Sequence, residues 1–182
     1  MAIWELRCGS VNEFAQLVSR DYDNIEDELF DTDGSPKDWK DRPLVGFAVD
    51  KRKKAQKPRA DVSLLLPGAL VLNERAKAAL GPFLSKFGQL LELDCEGEPR
   101  WFFNATNLVS CVDEARSEKF EDGGIMLEAL DESKAPKEAA VFKDPLTAML
   151  RIYVNEAGKK TIEKLAKEAG LTGVECAEPK PL

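Results

Sequence analysis

Carboxylates are the side chains of this chain with the most evident capacity for chemistry. Glu92, Asp94, Glu96 and Glu98 lie close together in the sequence. A pair of carboxylates held in a cleft can act as general acid and base. Glu92 and Asp94 are two residues apart, however, so in a strand they share one face. The pattern favours the solvated side of an amphipathic hairpin over a catalytic pair.

A denser acidic run lies between residues 21 and 33, where seven carboxylates occur without a Lys or Arg. An EF-hand loop needs oxygen ligands at alternating positions and glycine at the sixth. If Asp21 and Asp23 supplied the first two ligands, the third would fall on Ile25 and the glycine position on Glu26. Calcium binding is therefore not expected. The run is either a solvated face or an anionic surface for a basic protein partner, with Asp23, Glu26, Asp27 and Asp31 as the candidate contacts.

The sequence contains no histidine. This removes the commonest general base, the Ser–His and Cys–His nucleophile pairs and most transition-metal sites. The cysteines are too far apart for a Cys-x-x-Cys site; they are Cys8, Cys95, Cys111 and Cys176. We interpret them as thiols in a reducing compartment, with a disulfide pair left open. We expect no catalytic residue, no cofactor and no metal site, and a protein that is not an enzyme.

Charge and hydropathy exclude two further classes of partner. The net charge of −7 argues against broad contact with nucleic acid or with anionic lipid. The first residues lack the apolar run of a signal peptide, and no apolar stretch approaches the roughly 20 residues that span a bilayer. We therefore expect a cytoplasmic protein with no nucleic-acid or membrane partner.

Aromatic residues supply one candidate for an interface. Trp101, Phe102 and Phe103 are consecutive, so both faces of a strand there would be apolar, as in a central buried strand. Trp39 instead follows the turn sequence at 33–36 and lies among charged residues. We therefore add Trp39 to the candidate contacts for a protein partner.

Two helices and several short strands must position these residues. One helix begins at Asn73, with its apolar face formed by Ala76, Ala79, Leu80, Phe83, Leu84 and Phe87. A second begins at Asn155 and ends before Gly170, and a short helix is predicted at 11–18. Strands are predicted at 2–7, 44–49, 89–93, 100–104, 125–127, 140–142, 152–154 and 171–176. Residues 94–99 are predicted to join two of these strands in a hairpin with a loop longer than the tightest turns.

This order of elements lacks a regular βαβ alternation. It predicts an α+β fold with a mixed or antiparallel sheet, a central helix and a C-terminal helix. The 182 residues fit a single domain over 1–182. The alternative is one domain with a loosely attached N-terminal lobe at 1–49 and a charged loop at 50–61.

Four successive segments carry a resemblance to a known family. They are LVLNERAKAALGPFL, WFFNATNLVSCVDEARSEKF, VFKDP and IYVNEAGKKTIEKLAKEAGLTGVECAEP. In this order they resemble immunity proteins of bacterial polymorphic-toxin systems, formerly catalogued as a domain of unknown function. The pairs Asp33-Gly34 and Asp38-Trp39 extend the resemblance towards the N-terminus. Asn73 departs from the serine that is more usual there, but either residue caps a helix.

The resemblance implies a non-enzymatic function. Such a protein binds a cognate toxin domain encoded by a neighbouring gene and protects the producing cell. Toxin-contacting residues differ with each toxin, so the family supplies none for this chain. We expect stoichiometric binding of a toxin that acts in the cytosol, either by plugging its active site or by binding elsewhere. The alternatives are an effector-loading adaptor or other non-catalytic binding module and, third, an enzyme that uses carboxylates.

Overall fold

The structure is a computed structural model that describes residues 2–20, 30–49, 52 and 55–181. Within these residues the main elements, in chain order, are β1 (Ile3–Cys8), β2 (Leu17–Ser19), β3 (Leu44–Phe47), β4 (Val62–Ser63), β5 (Leu70–Leu72), α1 (Glu74–Leu84), β6 (Gly88–Cys95), β7 (Glu98–Ala105), β8 (Glu118–Lys119), β9 (Ile125–Leu127), β10 (Val141–Phe142), β11 (Tyr153–Asn155), α2 (Glu156–Ala169) and β12 (Val174–Ala177). A 3-10 turn lies at Glu132–Lys134.

The larger sheet has the strand order β2-β3-β6-β7-β5-β4. It is mixed, because β3 and β6 run parallel while its other neighbouring strands are antiparallel. Strand β7 lies inside this sheet, and Phe102 and Phe103 are fully buried there. The prediction of a central buried strand is confirmed.

The hairpin between β6 and β7 is tighter than predicted. Cys95 pairs with Glu98, so only Glu96 and Gly97 form the turn. Both turn residues have positive φ angles, 57° and 89°, as a primed two-residue turn requires. The Asp94 carboxylate accepts the Gly97 N–H at 2.8 Å. The predicted longer loop is wrong because glycine and this side-chain bond let the strands pair up to the turn.

The smaller sheet joins the two ends of the chain in the order β10-β11-β1-β12. Each of its neighbouring pairs is antiparallel. A separate two-stranded ribbon pairs β8 with β9. With a central α1 and a C-terminal α2, the fold class is α+β with mixed and antiparallel sheets, as predicted.

Both predicted helix starts are confirmed. The Asn73 side chain accepts the Ala76 N–H at 2.9 Å, and the Asn155 side chain accepts the Gly158 N–H at 2.8 Å. Each bond satisfies a backbone donor that the first turn of a helix leaves free. Helix α2 ends at Gly170 in the left-handed conformation. Neither helix, of 11 and 14 residues, has the length and apolar composition needed to cross a membrane.

The helix predicted at 11–18 is wrong. A single turn forms there, in which the Phe14 N–H donates to the Ser10 carbonyl. The next donor leaves the helical pattern, since the Ala15 N–H donates to the Pro58 carbonyl. Leu17, fully buried, then pairs with β3. Long-range backbone bonding and burial of Leu17 outweigh the helical spacing.

Three apolar clusters hold the layers together. The largest joins both sheets and both helices, with members such as Leu6, Phe103 and Ile162. The second covers the opposite face of the larger sheet around Phe102. The third packs Tyr153 and its neighbours of the smaller sheet against the segment that contains Cys111.

Candidate interaction surface

The acidic residues predicted to contact a partner are only partly described. Asp23, Glu26 and Asp27 lie outside the described residues. Asp31 is half-buried, and its carboxylate accepts the Asp33 N–H at 3.2 Å. Asp33 is exposed, and hydrogen bonds from the Ser35 hydroxyl and amide hold the pKa of its carboxyl below the usual value. Asp33 therefore remains ionised at neutral pH.

Trp39 lies between surface and core. Its ring is 5.6 Å from that of Phe30 and 5.4 Å from that of Phe102, measured between centroids. It is half-buried and packs against the second apolar cluster. Trp39 thus anchors the end of the acidic run to the sheet, and only part of its surface is accessible to a partner.

The loop at residues 144–150 carries the most distinctive surface in the described chain. Leu146, Met149 and Leu150 are 52%, 58% and 39% exposed, whereas Thr147 and Ala148 between them are buried. Their three- and four-residue spacing puts the three exposed side chains on one side of a helix-like turn. We call these three residues the apolar patch. Single exposed apolar side chains are ordinary, but three in one short loop are typical of an interaction surface.

The loop backbone is fixed by Asp144, which is 1% exposed. One carboxylate oxygen accepts the N–H groups of Cys111 and Val112 at 2.6 and 2.7 Å. The other accepts the Leu146 N–H at 2.8 Å. A buried carboxylate with three backbone donors holds the loop firmly, so the apolar patch is presented in a defined geometry.

Lys143 connects this loop to the acidic run. Its buried ammonium donates to the Thr32 and Ala148 carbonyls, the latter at 2.8 Å. The Thr32 hydroxyl in turn donates to the Met149 carbonyl at 2.9 Å. Because Thr32 lies between Asp31 and Asp33, these bonds place the end of the acidic run beside the apolar patch.

Gly68 allows the close approach at this junction. Its φ is +71°, and a Cβ there would lie 2.8 Å from the Thr32 hydroxyl oxygen and 2.9 Å from the Met149 carbonyl oxygen. Any larger residue would both strain the backbone and separate these two groups. The turn that contains Gly68 is therefore part of the support beneath the patch.

Burial lowers the pKa of Lys143 to about 7, although Asp33 and Asp31 partly oppose the shift. The unfolded chain therefore binds a proton on this amine that the folded chain releases above about pH 7, so stability should rise with pH. We expect Lys143 to contribute a gain of roughly 1–2 kcal/mol to the free energy of unfolding between about pH 7 and 8.5, from about 1.4 kcal/mol per proton and pH unit.

Urea denaturation across that range would measure the gain. No histidine titrates there. Burial raises the pKa values of Cys8, Cys111 and Cys176 to about 12, so thiols that begin to ionise in the unfolded chain above about pH 8 oppose the gain. This opposing contribution is the same in Lys143→Met, so the difference between the two pH profiles isolates Lys143 and should equal its gain. Parallel pH profiles for the unaltered chain and the variant would contradict this assignment.

A buried ionic network lies next to the loop. Arg151 is 3% exposed and contacts the carboxylates of Glu5 and Glu128, each at 2.7 Å. The contact with Glu128 is made by the Nε atom and is an ion pair without hydrogen-bond geometry. The Tyr153 hydroxyl donates to Glu128 at 2.8 Å and lies 2.9 Å from the Thr147 hydroxyl. Arg151 also donates to the backbone carbonyl of Lys180 near the C-terminus. The network ties the loop to the smaller sheet and to the chain end.

Two of the carboxylates considered for acid–base chemistry form ion pairs with arginines. Glu92 forms an ion pair with Arg42 at 3.1 Å, and Glu96 forms one with Arg59 at 3.0 Å. In the described part of the chain, no three His, Cys, Asp or Glu side chains are grouped closely enough to hold a metal ion. Each of the four cysteines is a free thiol.

The arrangement is suited to binding a protein. An apolar centre, an ionised Asp33 beside it and a firmly held backbone are features of a preformed interaction surface. Comparison with models of known protein families gives no match, and comparison with curated proteins gives none either.

Proposed function

We propose that this chain is an immunity protein that binds and neutralises a cognate toxin by a stoichiometric protein–protein interaction. The observation that carries the proposal is the apolar patch, held rigidly beside the end of the acidic run at Asp31 and Asp33. A surface of this kind gains most of its binding energy from apolar anchors and its encounter rate from charge. The resemblance to immunity proteins supplies the kind of partner, a toxin domain that acts in the cytosol.

The proposal assigns no catalytic step, cofactor or metal to the protein. The chemically distinctive groups of the described chain are engaged in structural contacts. The Lys143 amine is buried against two carbonyls, and burial makes the thiols of Cys8 and Cys111 poor nucleophiles by raising their pKa. Binding, rather than turnover, is the function that these contacts favour.

The direct test is co-expression with the toxin domain encoded by the neighbouring gene. We expect protection of the cell and a one-to-one complex of nanomolar or tighter affinity, about −12 kcal/mol, because little free toxin can be tolerated. Calorimetry on the purified pair measures both quantities. Micromolar affinity, or loss of viability despite an excess of this protein, would reject the proposal.

The acidic run should accelerate formation of that complex. Converting Asp23, Glu26, Asp27 and Asp31 to their amides removes four charges at nearly constant size. We expect association to slow about tenfold at low ionic strength, with a smaller effect at about 0.15 M salt, where charges are screened beyond about 8 Å. Stopped-flow fluorescence at several salt concentrations would measure this.

A matched control variant removes four exposed carboxylates elsewhere, namely Glu74, Glu98, Glu163 and Glu168. Overall net charge is then equal in the two variants. If both slow association equally, net charge rather than the acidic run directs the encounter.

A further inference from the structure

A cleft of about 420 Å³ adjoins the apolar patch. It lies between β1 and the turn around Gly68, and Leu150 of the patch forms part of its wall. Leu64, Pro67 and Ile152 add further apolar surface, while Glu5, Arg7 and Glu175 supply charge. The cleft thus combines an apolar wall with an ionic side, and it is continuous with the proposed toxin-binding surface.

The charges at this cleft are not balanced. Arg7 contacts Glu175 at 2.7 Å and Glu5 at 3.9 Å, and Arg151 contacts Glu5 and Glu128. Of these groups, Arg151 and Glu128 do not line the cleft, whose own charged side chains are the carboxylates of Glu5 and Glu175 and the guanidinium of Arg7. Burial raises the pKa of Glu5 despite both arginines. The lining therefore carries one more carboxylate than guanidinium, and a cation bound in the cleft would offset this excess.

We propose that this cleft receives a lysine or arginine side chain from the toxin. The aliphatic stem would lie against Leu64, Pro67 and Leu150, and the cationic head would meet Glu175 and Glu5. Long basic side chains suit such a site because their stems are apolar and their ends are charged. This inference rests on the proposed function and assigns a chemistry to one contact of the interface.

The first test uses a small mimic and needs no toxin. We would titrate the full chain with n-butylguanidinium and follow backbone amides by NMR, with the neutral n-butylurea as the matched control. We expect saturable shifts confined to residues 5–11, 64–69, 150–152 and 175 for the cation alone. Equal shifts with both compounds, or no saturable shift with the cation, would overturn the proposal.

Two substitutions distinguish recognition from a merely structural ion pair. Glu175→Gln should weaken binding of n-butylguanidinium about threefold, and Arg7→Gln should tighten it about threefold, because a single partly exposed charge has an effect of this size. The two changes in affinity must have opposite directions. If the ion pair between Arg7 and Glu175 were only structural, losing either partner would change the affinity in the same direction. Changes in the same direction would overturn the proposal.

The same variants then test the toxin as the source of the cation. We expect Glu175→Gln to lower toxin affinity and Arg7→Gln to raise it, while Glu163→Gln on α2 leaves it unchanged. If the mimic binds but toxin affinity is unaltered in both variants, the cleft serves a free cation and this inference fails while the proposed function stands. If the unaltered protein does not bind the toxin, the proposed function itself fails.

Discussion

Replacing Leu146, Met149 and Leu150 together by serine is expected to weaken toxin binding by at least 100-fold. Truncating a buried interface anchor typically costs more than about 1 kcal/mol, and about 1.4 kcal/mol corresponds to a tenfold change in affinity. The three side chains are 39–58% exposed in the free protein, so the fold loses little packing. We expect the free energy of unfolding to change by less than about 0.5 kcal/mol per substitution. Calorimetry and urea denaturation measure the two effects separately.

A matched control replaces three other exposed apolar residues, Leu44, Val49 and Phe120, by serine. These are 48%, 60% and 43% exposed, so similar apolar surface is lost away from the 144–150 loop. The control should bind the toxin with nearly normal affinity. Full affinity in the first variant would place the interface elsewhere, and equal losses in both would indicate a general effect of surface hydropathy.

The sequence predicted those parts of the fold that depend on local interactions. Asn73 and Asn155 each bond to a backbone donor three residues ahead, so both helix starts can be read from a short segment. The apolar spacing of the first helix likewise matches its buried residues Ala76, Leu80 and Leu84. Local signals of this kind need no knowledge of the tertiary structure.

The errors arose where distant residues decide the backbone. At 11–18 the helical spacing was real, but bonds to Pro58 and to β3 produced a turn and a strand instead. The parallel pairing of β3 with β6 joins segments about fifty residues apart. Neither feature has a local signature that a single sequence reveals.

The candidate surface was missed for a related reason. In the sequence, Lys143 and Asp144 before a proline suggest an exposed charged turn, because such residues are seldom fully buried without partners. Three of their partners, Thr32, Cys111 and Val112, are more than thirty residues away. The spacing of Leu146, Met149 and Leu150 was visible, but the same spacing is more typical of a buried helix face. Only the structure shows that this face is turned outward.

Arg151→Ala is expected to destabilise the fold by about 3–5 kcal/mol. The guanidinium is 3% exposed and contacts both Glu5 and Glu128, so its removal leaves the fully buried Glu128 carboxylate without a counter-charge. The backbone carbonyl of Lys180 also loses its donor, which loosens the C-terminal end of the chain. Urea denaturation would measure the loss, and the dependence of the free energy of unfolding on urea concentration would be compared between the variant and the unaltered chain.

Two further variants show whether charge burial causes that loss. Lys160→Ala breaks the pair with Glu156 on the surface of α2, where the lysine side chain is 72% exposed; it should change stability by less than about 1 kcal/mol. The double variant Arg151→Met with Glu128→Leu removes the buried charge together with its partner, and should recover most of the stability because an apolar replacement can be neutral.

If the double variant were as unstable as Arg151→Ala, lost contacts of the arginine with Glu5 and Lys180, rather than an unpaired Glu128 carboxylate, would account for the effect. A loss no larger than that of Lys160→Ala would show that the network does not stabilise the fold beneath the apolar patch.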